Sequence, residues 1–284
     1  MTILENIFSV KNSDNVHKII TILGLKFKFY NKNAELKLIK KELDNLKELI
    51  LEIKKTTKDT RKKVISINRD QVLAFQYETG IELNNNFIKE RQIVFSPNDV
   101  PKDHYKRYSF AVENIENDEI VADVACTCGY GSSMLSAKAK EVIGVDISQP
   151  VINFANKVYA SDKISFLCQD AQNLVLPKKI DTVVSFETIE HIPNPELFLK
   201  RVYSSLNSNG KLICSVPNEI TRPWAEDKNE FHYRHYTKVQ FEQLLDECGF
   251  VIKEIYQQYK DSEFSIAKRV DEGDMLIVIA TKKG

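Results

Sequence analysis

Net charge of either sign is missing from this sequence. The 284 residues carry 40 Lys and Arg against 40 Asp and Glu, so nothing in bulk charge draws a polyanion such as nucleic acid. Residues 1–100 hold 18 basic and 13 acidic side chains, a mild excess that suits a solvated helix face better than a nucleic-acid surface. Long apolar runs are missing too. No stretch approaches the ~20 apolar residues that span a bilayer. Met1-Thr2-Ile3-Leu4-Glu5 lacks the basic and apolar regions of a signal peptide. A cytoplasmic chain without a membrane span is expected. Internal repeats and low-complexity tracts are absent. Cys126, Cys128, Cys168, Cys214 and Cys248 are odd in number and irregularly spaced. Three of them, Cys126, Cys168 and Cys214, lie in or beside apolar runs, which reads as reduced, buried thiols rather than a disulfide framework. Cys126-Thr127-Cys128 is not a zinc spacing and no second ligand pair follows, so no metal site is expected.

What is present divides into regions of different texture. In residues 1–33, a leader segment, Ile19 to Phe29 reads as a strand, a turn at Gly24, then alternating apolar and basic residues. In residues 34–71, apolar or Thr positions recur at Leu36, Ile39, Leu43, Leu46, Ile50, Ile53, Thr57, Thr60, Val64 and Ile67. The steps alternate three and four, with no Gly or Pro between. That is an a/d seam of 3.5-residue period held for about five heptads, narrower than the stripe of an ordinary surface helix. It predicts a coiled coil that joins copies of the chain into a homo-oligomer; one long helix packed on its own domain is the alternative. Residues 72–102, punctuated by Asn84-Asn85-Asn86, Pro97 and Pro101, read as a connector.

From residue 103 to 284 the pattern is regular. A helix is expected at Tyr105–Ile115. Strands are expected at Ile120–Ala125, Glu141–Ile147, Ile164–Cys168, Asp181–Phe186, Lys211–Val216, Val251–Tyr256 and Met275–Thr281. Helical stretches near Ser132–Ala139, Pro150–Tyr159, Pro195–Leu206 and Thr237–Cys248 lie among them. This alternation means an α/β fold, a parallel sheet covered by helices on both faces. Only Gln257–Asp274 separates the last two strands, and it shows no helical pattern, so these two are expected to pair antiparallel.

Ligands of open parallel sheets bind at the carboxyl ends of the strands. The first strand ends in Cys126-Thr127-Cys128-Gly129-Tyr130-Gly131-Ser132, where two glycines let the backbone turn tightly and approach a ligand. The helix that follows points its free N–H groups at the same place. The second strand ends at Asp146, an acid that can accept from two vicinal ribose hydroxyls. The third ends in Gln169-Asp170-Ala171, where an acid can accept from an adenine amino group. A nicotinamide enzyme would show G-x-G-x-x-G, but counting from Gly129 the third glycine position is Met134.

Together these segments resemble the class I S-adenosylmethionine-dependent methyltransferases. Asp123 to Ser132 is similar to the family's first glycine motif, Val145-Asp146 to its ribose-binding acid, and Asp170-Ala171 to its adenine-contacting turn. Ser185 to Ile192 is similar to the fourth-strand motif and Asn209-Gly210-Lys211-Leu212 to the turn into strand five. The resemblance implies a Rossmann-like seven-stranded methyltransferase sheet and S-adenosyl-L-methionine as cofactor. It implies cofactor contacts from Asp123, Ala125, Thr127, Gly129, Gly131, Asp146, Ile147, Asp170, Ala171, Phe186 and Glu187, with Tyr108 and Arg107 closing over them. In one place the chain departs from the family: the first glycine of the loop is Thr127. A β-branched residue does not adopt positive φ cheaply.

His104 to Ala111, Phe231 to Thr237, and the leader segments Glu5 to Asn12 and Ile20 to Gly24 resemble enzymes of bacterial capsule and lipopolysaccharide biosynthesis. They imply an O-methyltransferase whose acceptor is a sugar, nucleotide-sugar or glycan-linked small molecule. A sugar hydroxyl must lose its proton, which suits histidine. His191 follows strand four and is the first candidate, with His232 and His235 in the loop after strand five. Glu187 and Glu190 are acidic alternatives. Arg222 and Arg234 are candidates for an acceptor phosphate. Structural roles for each histidine stay open. So do a methyltransferase for another small metabolite and a non-catalytic coiled-coil scaffold with a degenerate Rossmann domain.

Overall fold

A computed structural model describes three N-terminal strands and residues 100–283, apart from 228, 270 and 271. The chain divides into two compact units, Met1–Asn68 and Arg69–Gly284. In the first, β1 (Phe8–Asn12), β2 (His17–Ile22) and β3 (Leu25–Tyr30) form an antiparallel sheet in that order. The expected strand and alternation around Gly24 are β2 and β3. The expected coiled coil at 34–71 and connector at 72–102 lie outside the described residues, except for the last three positions of the connector.

The second unit holds the α/β architecture. Among its described residues the helices are α1 (Lys102–Glu113), α2 (Tyr130–Leu135), α3 (Gln149–Tyr159), α4 (Pro195–Ser205) and α5 (Lys238–Glu247). Its strands are β4 (Ile120–Val124), β5 (Glu141–Asp146), β6 (Ile164–Cys168), β7 (Ile180–Phe186), β8 (Leu206–Pro217), β9 (Phe250–Gln258), β10 (Ile266–Ala267) and β11 (Met275–Lys282). The sheet order is β10-β9-β11-β8-β7-β4-β5-β6. From β8 to β6 all neighbours are parallel, and β11 runs antiparallel to both β8 and β9. The sheet therefore has eight strands where seven were expected. The extra one, β10, pairs with the edge of β9 through two residues, too short to leave a period in the sequence. The antiparallel pairing of the last two long strands appears as expected.

Local signals set the helix ends. Pro195 starts α4 behind Asn194, whose side chain caps Leu197 N. Thr237 and Gln240 form a reciprocal capping box at α5. β4 and β7 are buried on both faces, as strands covered by helices on two sides must be. The strand order reverses at β4, with β5 on one side and β7 on the other. That reversal opens a crevice at the carboxyl ends.

Candidate active site

A cleft of about 440 Å³ occupies that crevice, within the roughly 300–1,000 Å³ of small-molecule sites. The loop after β4 forms its floor. Ala125, Thr127 and Gly129 alternate there in left-handed conformations, at φ 65°, 47° and 91°. Thr127 thus takes up the positive φ that β-branched residues avoid, and its buried Oγ1 has no hydrogen-bond partner. The twist aims Thr127 N at Asp146 Oδ2, 3.2 Å away. Ser148 N donates to the other oxygen at 2.9 Å. The Asp146 carboxylate is therefore held in place at the end of β5 by backbone N–H groups. Asp170, one strand further, caps the short turn Ala171–Asn173 by accepting from Gln172 N at 2.9 Å.

Of the cofactor candidates, Tyr108, Ala125, Thr127, Asp146, Ile147, Asp170, Ala171, Phe186 and Glu187 line the cleft. Asp123, Gly129 and Gly131 do not. Asp123 is fully buried and accepts from Ser132 Oγ at 2.7 Å and Tyr108 Oη at 3.0 Å. Burial pushes its carboxyl up to about 6, against the pull of those two hydrogen bonds. It ties α1 and α2 to β4. Gly131 is needed for packing, because a Cβ there would stand 2.0 Å from the Tyr108 ring.

Arg107 does not reach the cleft. It is 1% exposed and bonds Glu187 and the Gln258 side chain, inside the protein. Burial raises the Glu187 carboxyl, but Arg107 and then His104 outweigh it and hold it at about 2. Glu187, at φ 47°, is thus a fixed carboxylate on the cleft wall.

The histidines separate. His191 and His232 line the cleft with their rings edge to face, centroids 4.5 Å apart. His235 is turned inward, 6% exposed, with Nδ1 2.6 Å from the Arg222 carbonyl. Asp227 Oδ2 lies 2.8 Å from His232 Nδ1 and 3.0 Å from His235 Nε2, at ion-pairing distance but off the hydrogen-bond direction. Asn229 accepts from Phe231 N through Oδ1, which turns its Nδ2 to His232 Nε2, 2.8 Å away. Burial, then His191, lowers His232 to about 4, so it is a neutral imidazole at neutral pH. Arg222 lines the cleft, whereas Arg234 donates to the Pro193 carbonyl at 2.9 Å outside it. Asp227 and Asn229 are absent from the sequence candidates. Their signal was their position five and three residues before His232, visible only once that histidine was known to face the cleft.

The residues present fit a nucleoside-bearing cofactor. Two acids, Asp146 and Asp170, end neighbouring strands with their orientation fixed from the backbone, and the orphaned Thr127 hydroxyl stands among the residues that line the same cleft. The comparisons with known proteins agree. The sequence model of the methyltransferase domain matches residues 122–214. A probable S-adenosylmethionine-dependent methyltransferase of Mycobacterium tuberculosis is 30% identical over 134 residues, 46% of this chain and 48% of that one. A ubiquinone biosynthesis O-methyltransferase of Bradyrhizobium diazoefficiens is 32% identical over 108 residues, 37% of this chain and 42% of that one. The chain thus spans about half, or less, of the length of these curated relatives. An S-adenosylmethionine-dependent methyltransferase from Clostridium acetobutylicum shares the fold at a TM-score of 0.53 and 18% identity, over 63% of this chain and 92% of its own. With strand order, loop motifs and relatives in agreement, residues 122–214 are similar to a methyltransferase domain, the second unit has the fold of an S-adenosylmethionine-dependent methyltransferase, and S-adenosyl-L-methionine is the cofactor these likenesses imply.

Proposed function

We propose that this protein transfers a methyl group to an oxygen of a sugar, nucleotide-sugar or glycan-linked acceptor in bacterial surface-polysaccharide biosynthesis. The observation that carries oxygen transfer is the placement of two imidazoles, His191 and His232, on the cleft that also holds Asp146 and Asp170. When bound, S-adenosyl-L-methionine supplies a sulfonium methyl already activated for displacement. The chain's own work is to bind, orient and take up a proton. Asp146 accepts from ribose hydroxyls and Asp170 from the adenine side. The His191–His232 pair activates the acceptor hydroxyl, with His191 the first candidate for base. His232 is poorly suited to take the proton itself, because burial and His191 keep it at about 4 and Asn229 occupies Nε2. Arg222 stands ready for a phosphate on the acceptor. The surface-glycan acceptor is supported by the resemblance of residues 104–111 and 231–237. Residues 36–67 are proposed to join chains through their heptad seam.

Calorimetry with S-adenosylhomocysteine tests the cofactor site, and its failure at micromolar affinity would favour the non-catalytic scaffold. Methyl transfer to a panel of sugars and nucleotide sugars then tests the acceptor class. His191→Ala should lower turnover roughly 10²–10⁴-fold with S-adenosylhomocysteine affinity nearly unchanged. Full turnover in that variant would remove His191 from the mechanism.

A further inference from the structure

Glu190 presents a problem that methyl transfer alone does not explain. It is 0% exposed, and neither carboxylate oxygen has a hydrogen-bond partner. A buried charge survives only when paired. Protonation does not resolve it, since the new O–H would itself be an unsatisfied donor. Around it stand nitrogen ligands. One ligand atom each from Glu190, His191 and His232 lie within 4.8 Å of one another. The loop carrying His232 is bound to the turn carrying the other two, as Tyr233 N donates to Glu190 O at 2.9 Å. His232 Nδ1 bonds His235 Nε2 at 2.8 Å, with the Asp227 carboxylate charge equally near; outer contacts of this kind orient a metal-bound imidazole and leave Nε2 for the ion.

We propose that Glu190, His191 and His232 bind one divalent transition-metal ion at the cleft wall. Cysteine spacing predicted no metal site, because these ligands come from segments some forty residues apart and include no thiol. Two imidazoles and one carboxylate favour Zn²⁺ or a similar first-row ion over Mg²⁺, which prefers oxygen ligands. Metal–ligand bonds of about 2.0–2.2 Å put ligand atoms roughly 3.4 Å apart in a tetrahedron. The separations therefore close by at most about 1.4 Å, and the Asn229 contact to His232 Nε2 gives way to the metal. Three protein ligands leave a coordination position for an acceptor oxygen, since His191 and His232 face the cleft. That last point deepens the proposed methyl transfer, because with the imidazole lone pairs on the ion the metal, and not His191 as a base, would lower the pKa of the acceptor hydroxyl; ion binding itself does not rest on it.

The test uses the full chain, stripped with chelator, in a Cys168→Ser background because Cys168 is the exposed cysteine. Co²⁺ is titrated by its visible absorption and displaced with Zn²⁺. One equivalent is expected, lost in Glu190→Gln, and weakened roughly 10–100-fold in Asp227→Asn. S-adenosylhomocysteine affinity, measured on each protein, reports folding. If Glu190→Gln does not fold, His191→Ala at the cleft surface carries the same expectation. No uptake by a chain that binds S-adenosylhomocysteine overturns the site. So does uptake that survives Glu190→Gln, or that is lost in His235→Asn alone, which would put the ion on Asp227, His232 and His235. Ion uptake without S-adenosylhomocysteine binding would uphold the metal site and refute the proposed function instead.

Discussion

Replacing Thr127 by Gly should stabilise this protein. Thr127 holds φ at 47° with its buried hydroxyl unpartnered. A left-handed L-residue costs about 1–2 kcal/mol, and an unsatisfied buried hydroxyl about 1–3. Against these stand about 0.5–1 kcal/mol for the freedom glycine gains in the unfolded chain and about 0.8 for one buried methyl. The balance is a gain of about 2 kcal/mol, which raises the Tm by roughly 4–8 °C for a unit of this size. Thr127→Ala separates the two causes, because it removes the hydroxyl and keeps the φ. Glycine should exceed alanine by roughly 0.5–1 kcal/mol, the left-handed cost less the glycine entropy. Thermal and urea unfolding can be followed by Trp224, the chain's only tryptophan, whose Nε1 bonds the His232 carbonyl. If Thr127→Ala proves as stable as Thr127→Gly, the loop is not strained and the reasoning fails. Affinity for S-adenosylhomocysteine should not fall in Thr127→Gly; a fall would make the Thr127 hydroxyl a ligand contact.

Asp146→Ala should weaken S-adenosylhomocysteine binding at least tenfold, since each charge-assisted hydrogen bond is worth about 1.5–3 kcal/mol; unchanged affinity in a folded variant would end the ribose assignment. Glu187 should show in acid unfolding. Its folded carboxyl, held at about 2 against 4.5, contributes stability above pH 4.5 that is lost as pH falls through that interval, at most about 3 kcal/mol. In Glu187→Gln this part of the acid dependence of Tm should vanish, and a wild-type acid limb in the variant would refute it. Light scattering should find the full chain oligomeric at micromolar concentration and a chain begun near residue 100 monomeric. A monomeric full chain would refute the heptad seam.

Much of the fold was legible because its signals are local. Apolar strands, the capping residues Asn194 and Thr237, and acids at strand ends all act within a few residues of where they stand. The same holds for the cofactor site, since Asp146 and Asp170 are placed by the ends of their own strands. Two-residue β10 has no period to read. Leu206 to Gly210 belong to β8, although Asn207, Ser208 and Asn209 suggest a turn, because the edge of β7 extends to pair Ile180 with Leu206.

The sequence by itself determined the sheet-and-helix alternation, the glycine loop and the acids that end β5 and follow β6. Tertiary structure alone decided which ionisable side chains face the cleft. Arg107 is sunk in the core because Gln258, 151 residues away, receives it there, while Glu187 completes its pairing. His232 faces the cleft and His235 the interior, though only three positions separate them. Glu190 is sealed without a partner beside two imidazoles. Periodicity reports burial along one element, whereas the ionisation and orientation of a charged group depend on neighbours contributed by distant ones. Backbone conformation was decided in the same way. Thr127 is held left-handed by the hydrogen bonds that its loop makes to β5, and a residue's own preference is too weak to prevail against them.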